Sequence, residues 1–107
     1  MTQFEDRARA FENKFAHDAE MQFKAESRRN RLVGLWAAGK MDLGGAEAEA
    51  YAREVVKADL AEAGDEDVFR KLRADLDARE VAVTDDEIRQ EMAEALAEAK
   101  AQLLKEI

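Results

Sequence analysis

Apolar positions recur along this chain at intervals of three and four residues, and glycine or a short β-branched run separates one such stretch from the next. That spacing predicts amphipathic helices near 4–38, 45–63, 66–78 and 85–105. In the last stretch Ile88, Met92, Ala95, Leu96, Ala99 and Leu103 fall within roughly 100° of one another at ~100° per residue. In the third, Val68, Phe69, Leu72 and Leu76 form a similar stripe. The second is broader: Tyr51, Ala52, Val55, Val56, Ala58 and Leu60 span about half the circumference, which predicts neighbours on two sides. Gly39 and Gly44-Gly45 mark the first joint, and Gly64 before Asp65 reads as a helix stop and a new N-cap. The run 80–83 interrupts the helical pattern, and Thr84 with Glu87 fits a capping box that opens the last helix.

The first stretch does not behave as one helix with one face. Phe4, Ala8, Phe11 and Phe15 form one stripe; Met21, Ala25, Leu32, Leu35 and Trp36 form another. Between residues 15 and 21 the apolar direction turns by about a quarter-turn or more. A helix over 4–38 would be ~52 Å long, but it could not lay both stripes on one core. The second stripe belongs with the bundle. The first leaves two readings: an arm folded back as an extra core layer, or a projecting helix whose aromatic face a partner buries. The second is preferred, with an arm that is partly mobile when free, because an isolated helix of some 15 residues is marginal in water. Phe23 lies on the opposite side from the Met21 stripe, either exposed or covered by the arm.

Composition agrees with an all-α chain. Proline and cysteine are absent, glycine totals five, and 39% of the residues are charged. Alanine supplies 22 of the apolar residues, which leaves 28 larger ones for a thin core within one domain over 1–107. The net charge of -8 is uneven. Residues 1–31 carry seven Lys/Arg against six Asp/Glu, or +1; the other 76 carry ten against 19, or -9. An acidic body disfavours nucleic acid and anionic lipid as partners. No apolar run approaches the ~20 residues of a membrane span, and the densely charged start lacks a secretory h-region, so a cytoplasmic location without direct membrane insertion is expected.

No catalytic constellation or cofactor motif stands out. His17 has only the adjacent Asp18 for company, and a solvated histidine is the simpler account, with a pH-sensitive contact in the arm as the other. Gly44-Gly45 lacks the Lys-Ser/Thr of a phosphate loop. The acidic groups at 65–67 and 85–87 sit where helix N-termini are predicted and complement the helix dipole rather than form a metal site. The basic group Arg28-Arg29-Asn30-Arg31 spreads round most of a helix and offers no single stripe to a phosphate backbone. Arg28 falls within the apolar stripe, so that either its stem packs there and its head snorkels, or it pairs with an acid of another helix.

Specific blocks carry a resemblance. Phe-Glu-Asp-Arg at 4–7, Phe-Glu-Asn-Lys-Phe-Ala-His-Asp at 11–18, Phe-Lys-Ala-Glu at 23–26, Gly-Leu-Trp-Ala-Ala at 34–38 and Glu-Ala-Gly-Asp-Glu-Asp-Val at 62–68 resemble the ATPase inhibitor zeta subunits of alphaproteobacteria. The likeness extends over nearly the whole chain. It implies an all-α protein: a small four-helix bundle over 20–107 with an inhibitory arm over 1–19. It also implies a non-enzymatic function, inhibition of ATP hydrolysis by the F1-ATPase of ATP synthase through insertion of the arm at an α/β catalytic interface, with γ as a further contact. The partner-binding residues expected on this basis are Phe4, Glu5, Asp6, Arg7, Arg9, Phe11, Asn13, Lys14, Phe15 and His17. The aromatic positions would be the anchors, and Arg7, Arg9 and Lys14 would give orientation. No cofactor and no metal are expected, and the free protein is expected to be a monomer. The angles alone accommodate a different function equally well, a small helical adaptor for another protein partner. A ligand-binding bundle has no sequence signature.

Overall fold

The computed structural model describes residues 18–59 and 65–106, which form four helices: α1, Ala19–Lys40; α2, Gly45–Ala58; α3, Glu66–Ala78; and α4, Asp85–Glu106. There is no strand among the described residues. Helix α1 is the hub, with α2 and α4 packed along it and α3 closing against the other three. The main core joins Val33, Ala37, Val55, Leu72, Leu76 and Ile88. A smaller cluster of Met21, Ala25 and Leu103 joins the start of α1 to the end of α4. The predicted stripes of α3 and α4 face inward, with Phe69 and Leu96 half-buried at the edges. The broad face of α2 divides between α1 and α3; its predicted extension over 60–63 and the stop at Gly64 lie outside the described residues.

A single helix from 4 to 38 does not form. Asp18 has extended backbone (φ -111°, ψ 101°), and its carboxylate accepts from the Glu20 and Met21 amides at 3.1 Å each. These amides are two of the orphan donors of a helix start, so Asp18 sets the N-terminus of α1. The break falls inside the window where the apolar direction turns. The residue considered only as a neighbour of His17 is in fact a cap.

The joints depart from the glycine positions. Helix α1 runs through Gly39 to Lys40, and the left-handed residue is Asp42 (φ 62°). The Leu43 amide donates to the Ala38 carbonyl and the Asp42 amide to that of Gly39, a Schellman closure. Helix α3 ends in the same way on Glu80 (φ 59°), with Val81 donating to Leu76 and Glu80 to Asp77. Gly45 (φ 55°) does use the freedom of glycine. The capping box of α4 forms as read: the Glu87 amide donates to Thr84 Oγ1 and the Thr84 amide to Glu87 Oε1, both at 3.1 Å. Those bonds hold the Glu87 carboxyl below its ordinary range. Asp65 occupies the N-cap position of α3, but its side chain makes no capping bond.

Gly34 has a role that periodicity does not express. A Cβ there would lie 2.9 Å from the Ala52 Cα and 3.2 Å from Val55 Cγ2. The missing side chain lets α1 and α2 approach backbone to backbone.

Candidate partner-binding surface

The ten expected contact residues, from Phe4 to His17, lie outside the described residues. What is described is the ground they adjoin. The first turns of α1 and the last turns of α4 run side by side, and beside them opens a groove of about 820 Å³. Met21, Phe23, Leu32, Val56 and Leu103 supply its apolar wall. Lys24, Arg28, Arg31 and Glu106 supply its charge, three cations against one anion, on a chain that is otherwise acidic.

The basic group at 28–31 is resolved into three separate ties. Arg28 reaches α4, with bonds of 2.6 and 3.1 Å to the two carboxylate oxygens of Glu106 and a longer one to Gln102. Of the two accounts of Arg28, pairing with an acid of another helix is the one realised. The pair holds the Glu106 carboxyl below its ordinary range, chiefly through the hydrogen bond. Arg31 reaches the Glu49 carboxylate on α2 at 2.8 and 3.0 Å. Arg29 is buried; its Nε donates to Asn30 Oδ1 at 2.9 Å and its Nη2 stands 3.6 Å from Asp59 at the end of α2. Each cation is turned to a different neighbour, so this group positions helices and presents no basic stripe.

Two large apolar side chains among the described residues remain exposed, Phe23 at 57% and Leu104 at 43%. Phe23 lines the groove, and Leu104 follows Leu103, which lines it too. The arm that was the other expected cover of Phe23 lies outside the described residues.

At the far end of the bundle polar groups are spent on structure. The Tyr51 hydroxyl donates to Asp75 Oδ2 at 2.8 Å, and burial followed by that carboxylate raises its pKa strongly. The Arg73 guanidinium ties Asp77, the Val83 carbonyl and Asp85 together across the α3–α4 turn. Among the described residues no group of three or more His, Cys, Asp or Glu is placed to hold a metal ion, and no helix is long and apolar enough to cross a membrane.

The family described as ATPase inhibitor subunit zeta matches residues 1–102, nearly the full length. The chain belongs to that family. A protein solved by solution NMR is 53% identical, with a TM-score of 0.72 over 81% of this chain and 99% of that one. Comparison with curated proteins gives no match. Membership of the zeta family gives the chain an ATPase-inhibitory, regulatory role. The resemblance seen in the sequence is thereby established at the level of family. The sequence missed Asp18, for which the signal was an Asp ahead of an Ala-Glu first turn, and it missed the groove, which has no linear signature.

Proposed function

We propose that the protein is a non-catalytic inhibitor of the F1-ATPase of ATP synthase, with residues 1–19 as the inhibitory element and the bundle as its base. In this reading the segment inserts at an α/β catalytic interface, with γ as a further contact, and blocks the relative movement that turnover requires. The observation that carries it is the match to the inhibitor family beginning at residue 1, so that the segment ahead of the bundle is included in the likeness. The cap at Asp18 supports a division of labour, since α1 has its own start and does not depend on helical continuity with what precedes it. Phe4, Phe11 and Phe15 are the anchors in this scheme, and Arg7, Arg9 and Lys14 orient them. Glu5, Asp6, Asn13 and His17 complete the contact.

The test is ATP hydrolysis by the cognate F1-ATPase with the full chain and with its Phe4→Ala/Phe11→Ala/Phe15→Ala variant. Alanine keeps helix propensity high and removes the anchors. Truncating one central aromatic anchor costs about 2 kcal/mol or more, a factor of about thirty in affinity. The variant is therefore expected to lose inhibition while its helical signal and melting are unchanged. Equal inhibition by both proteins refutes the arm as the inhibitory element.

A further inference from the structure

Residues 1–33 contain neither glycine nor proline, so no residue there stops a helix by its own backbone chemistry. Helix α1 nevertheless begins at Ala19. We infer that Asp18 is a positioning residue for inhibition: its carboxylate terminates α1, so that residues 1–17 join the bundle through a non-helical corner and present their aromatic face independently of the bundle. This deepens the function proposed above and rests on it.

Competition for donors is the first argument. In a helix continued toward residue 1, the Glu20 and Met21 amides would donate to the carbonyls of Ala16 and His17, four residues back. In the structure both donate to Asp18 Oδ1 at 3.1 Å, and the first bond of α1 runs from the Gln22 amide to the Asp18 carbonyl at 3.0 Å. The side chain occupies the two donors that backward growth of the helix needs, and the extended backbone of Asp18 turns the chain off the helix axis. Direction is the second argument. Met21 and Ala25 are packed with Leu103 of α4, which fixes the rotation of α1 about its axis. Helical continuity would carry that rotation backward and set Phe4, Phe11 and Phe15 about 100° round from the Met21 stripe, whatever surface a partner offers. A corner at Asp18 frees the two stripes from each other. The third argument is what else could hold the corner. Ala19 and Glu20 are exposed, so the cap and not tertiary packing decides where α1 begins.

Three full-length variants test this: Asp18→Ala, Asp18→Asn and Phe4→Ala/Phe11→Ala/Phe15→Ala. Asparagine caps a helix about as well as aspartate and carries no charge, whereas alanine cannot cap and favours a helix interior. The readouts are the Cα chemical shifts of residues 14–18, which report extension of α1, and the concentration for half-inhibition of the cognate F1-ATPase. Asp18→Ala should move those shifts toward helical values and raise the half-inhibition concentration about fivefold or more. Asp18→Asn should match the parent in both, and amide exchange at Val33 and Ile88 should be the same in all three. Extension of α1 with unchanged inhibition overturns the inference. So does fraying of the first turn of α1 by Asp18→Ala without helical shifts at 14–18. Equal loss of inhibition in Asp18→Ala and Asp18→Asn assigns the effect to the charge and not to the cap, which overturns it too. In each of these cases loss of inhibition in the phenylalanine variant leaves the proposed function standing. Full inhibition by the phenylalanine variant refutes that function, and the positioning role falls with it.

Discussion

The end of the bundle where α1 stops and α4 starts is built differently from the end where α1 starts and α4 stops. At the first, Met41, Tyr51, Val68, Leu72, Leu76, Val83 and Ile88 are buried in one cluster, and the charged groups above them close turns and caps. At the second, Met21, Ala25 and Leu103 form a small apolar cluster, and a partly exposed arginine–glutamate pair holds the two helices together. The apolar surface that the closed end buries is at the open end partly left out, on Phe23 and Leu104. A chain with few large apolar residues has not spread them evenly. Stability is concentrated where all four helices meet, and the remainder is left as surface beside the segment that carries the proposed function.

The sharpest way to break that contrast is to truncate one leucine in each cluster. Leu72 is fully buried among α1, α2 and α4. Leu72→Ala should cost about 2–5 kcal/mol, a large share of the ~5–15 kcal/mol typical of a small domain. Leu103→Ala empties a site open to the groove, where solvent and neighbouring side chains fill the space, and the loss should fall at or below the lower end of that range. Thermal or urea unfolding measures both. Equal losses would mean that the two ends form one core.

A smaller effect tests the seam that joins the two ends. Gly34→Ala sets a methyl group 2.9 Å from the Ala52 Cα, and backbone cannot move aside as a side-chain tip can. The expected loss is about 1–3 kcal/mol, in spite of the better helix propensity of alanine. Gly39→Ala is the control of opposite sign. It lies on the same helix with nothing within 4 Å of the added carbon, and it should stabilise the fold by about 0.5–1 kcal/mol. If both substitutions stabilise, α1 and α2 do not approach as closely as described.

These glycines also show what could be read from the sequence and what could not. The stripes of α3 and α4 follow from local periodicity, because a helix repeats its inward direction every few residues whatever lies opposite. The Thr84–Glu87 box is likewise local, four residues that satisfy one another. Gly34 was opaque, because its role lies in Ala52, a residue far along the chain. Gly39 was misread, because glycine suits both a helix end and a tolerated interior position; the left-handed residues that follow α1 and α3 are Asp42 and Glu80, neither of them glycine. The change of face between residues 15 and 21 was visible as an angle, and Asp18, the cap of α1, falls inside that window. The groove was out of reach, since it needs α1 and α4 to meet antiparallel before Phe23 and Leu103 share a wall. The inhibitory role came from specific blocks of sequence, and periodicity by itself named no partner.

The smallest effect expected is a pH dependence that differs between the two ends. Glu106 has its pKa lowered from an ordinary 4.5 by the hydrogen bond from Arg28. A carboxyl with a depressed folded-state pKa binds protons more readily when unfolded. Its contribution is therefore present above about pH 4.5 and is lost as the pH falls through the folded value. Glu87, bonded to Thr84, obeys the same sign at the closed end. There the loss loosens the first turn of a helix whose next residue, Ile88, is fully buried, so the core holds what the cap releases. At the open end the Arg28–Glu106 tie spans α1 and α4 over the small apolar cluster of Met21, Ala25 and Leu103. Acidification from pH 6 to 3 should thus raise amide exchange in the last turn of α4 before it does so around Ile88. Glu106→Gln should give that faster exchange already at pH 6 and flatten its response to acid, with little change in global melting. Uniform protection along α4 at every pH would show that the open end is held by packing alone, and that the two ends differ less than their cores suggest.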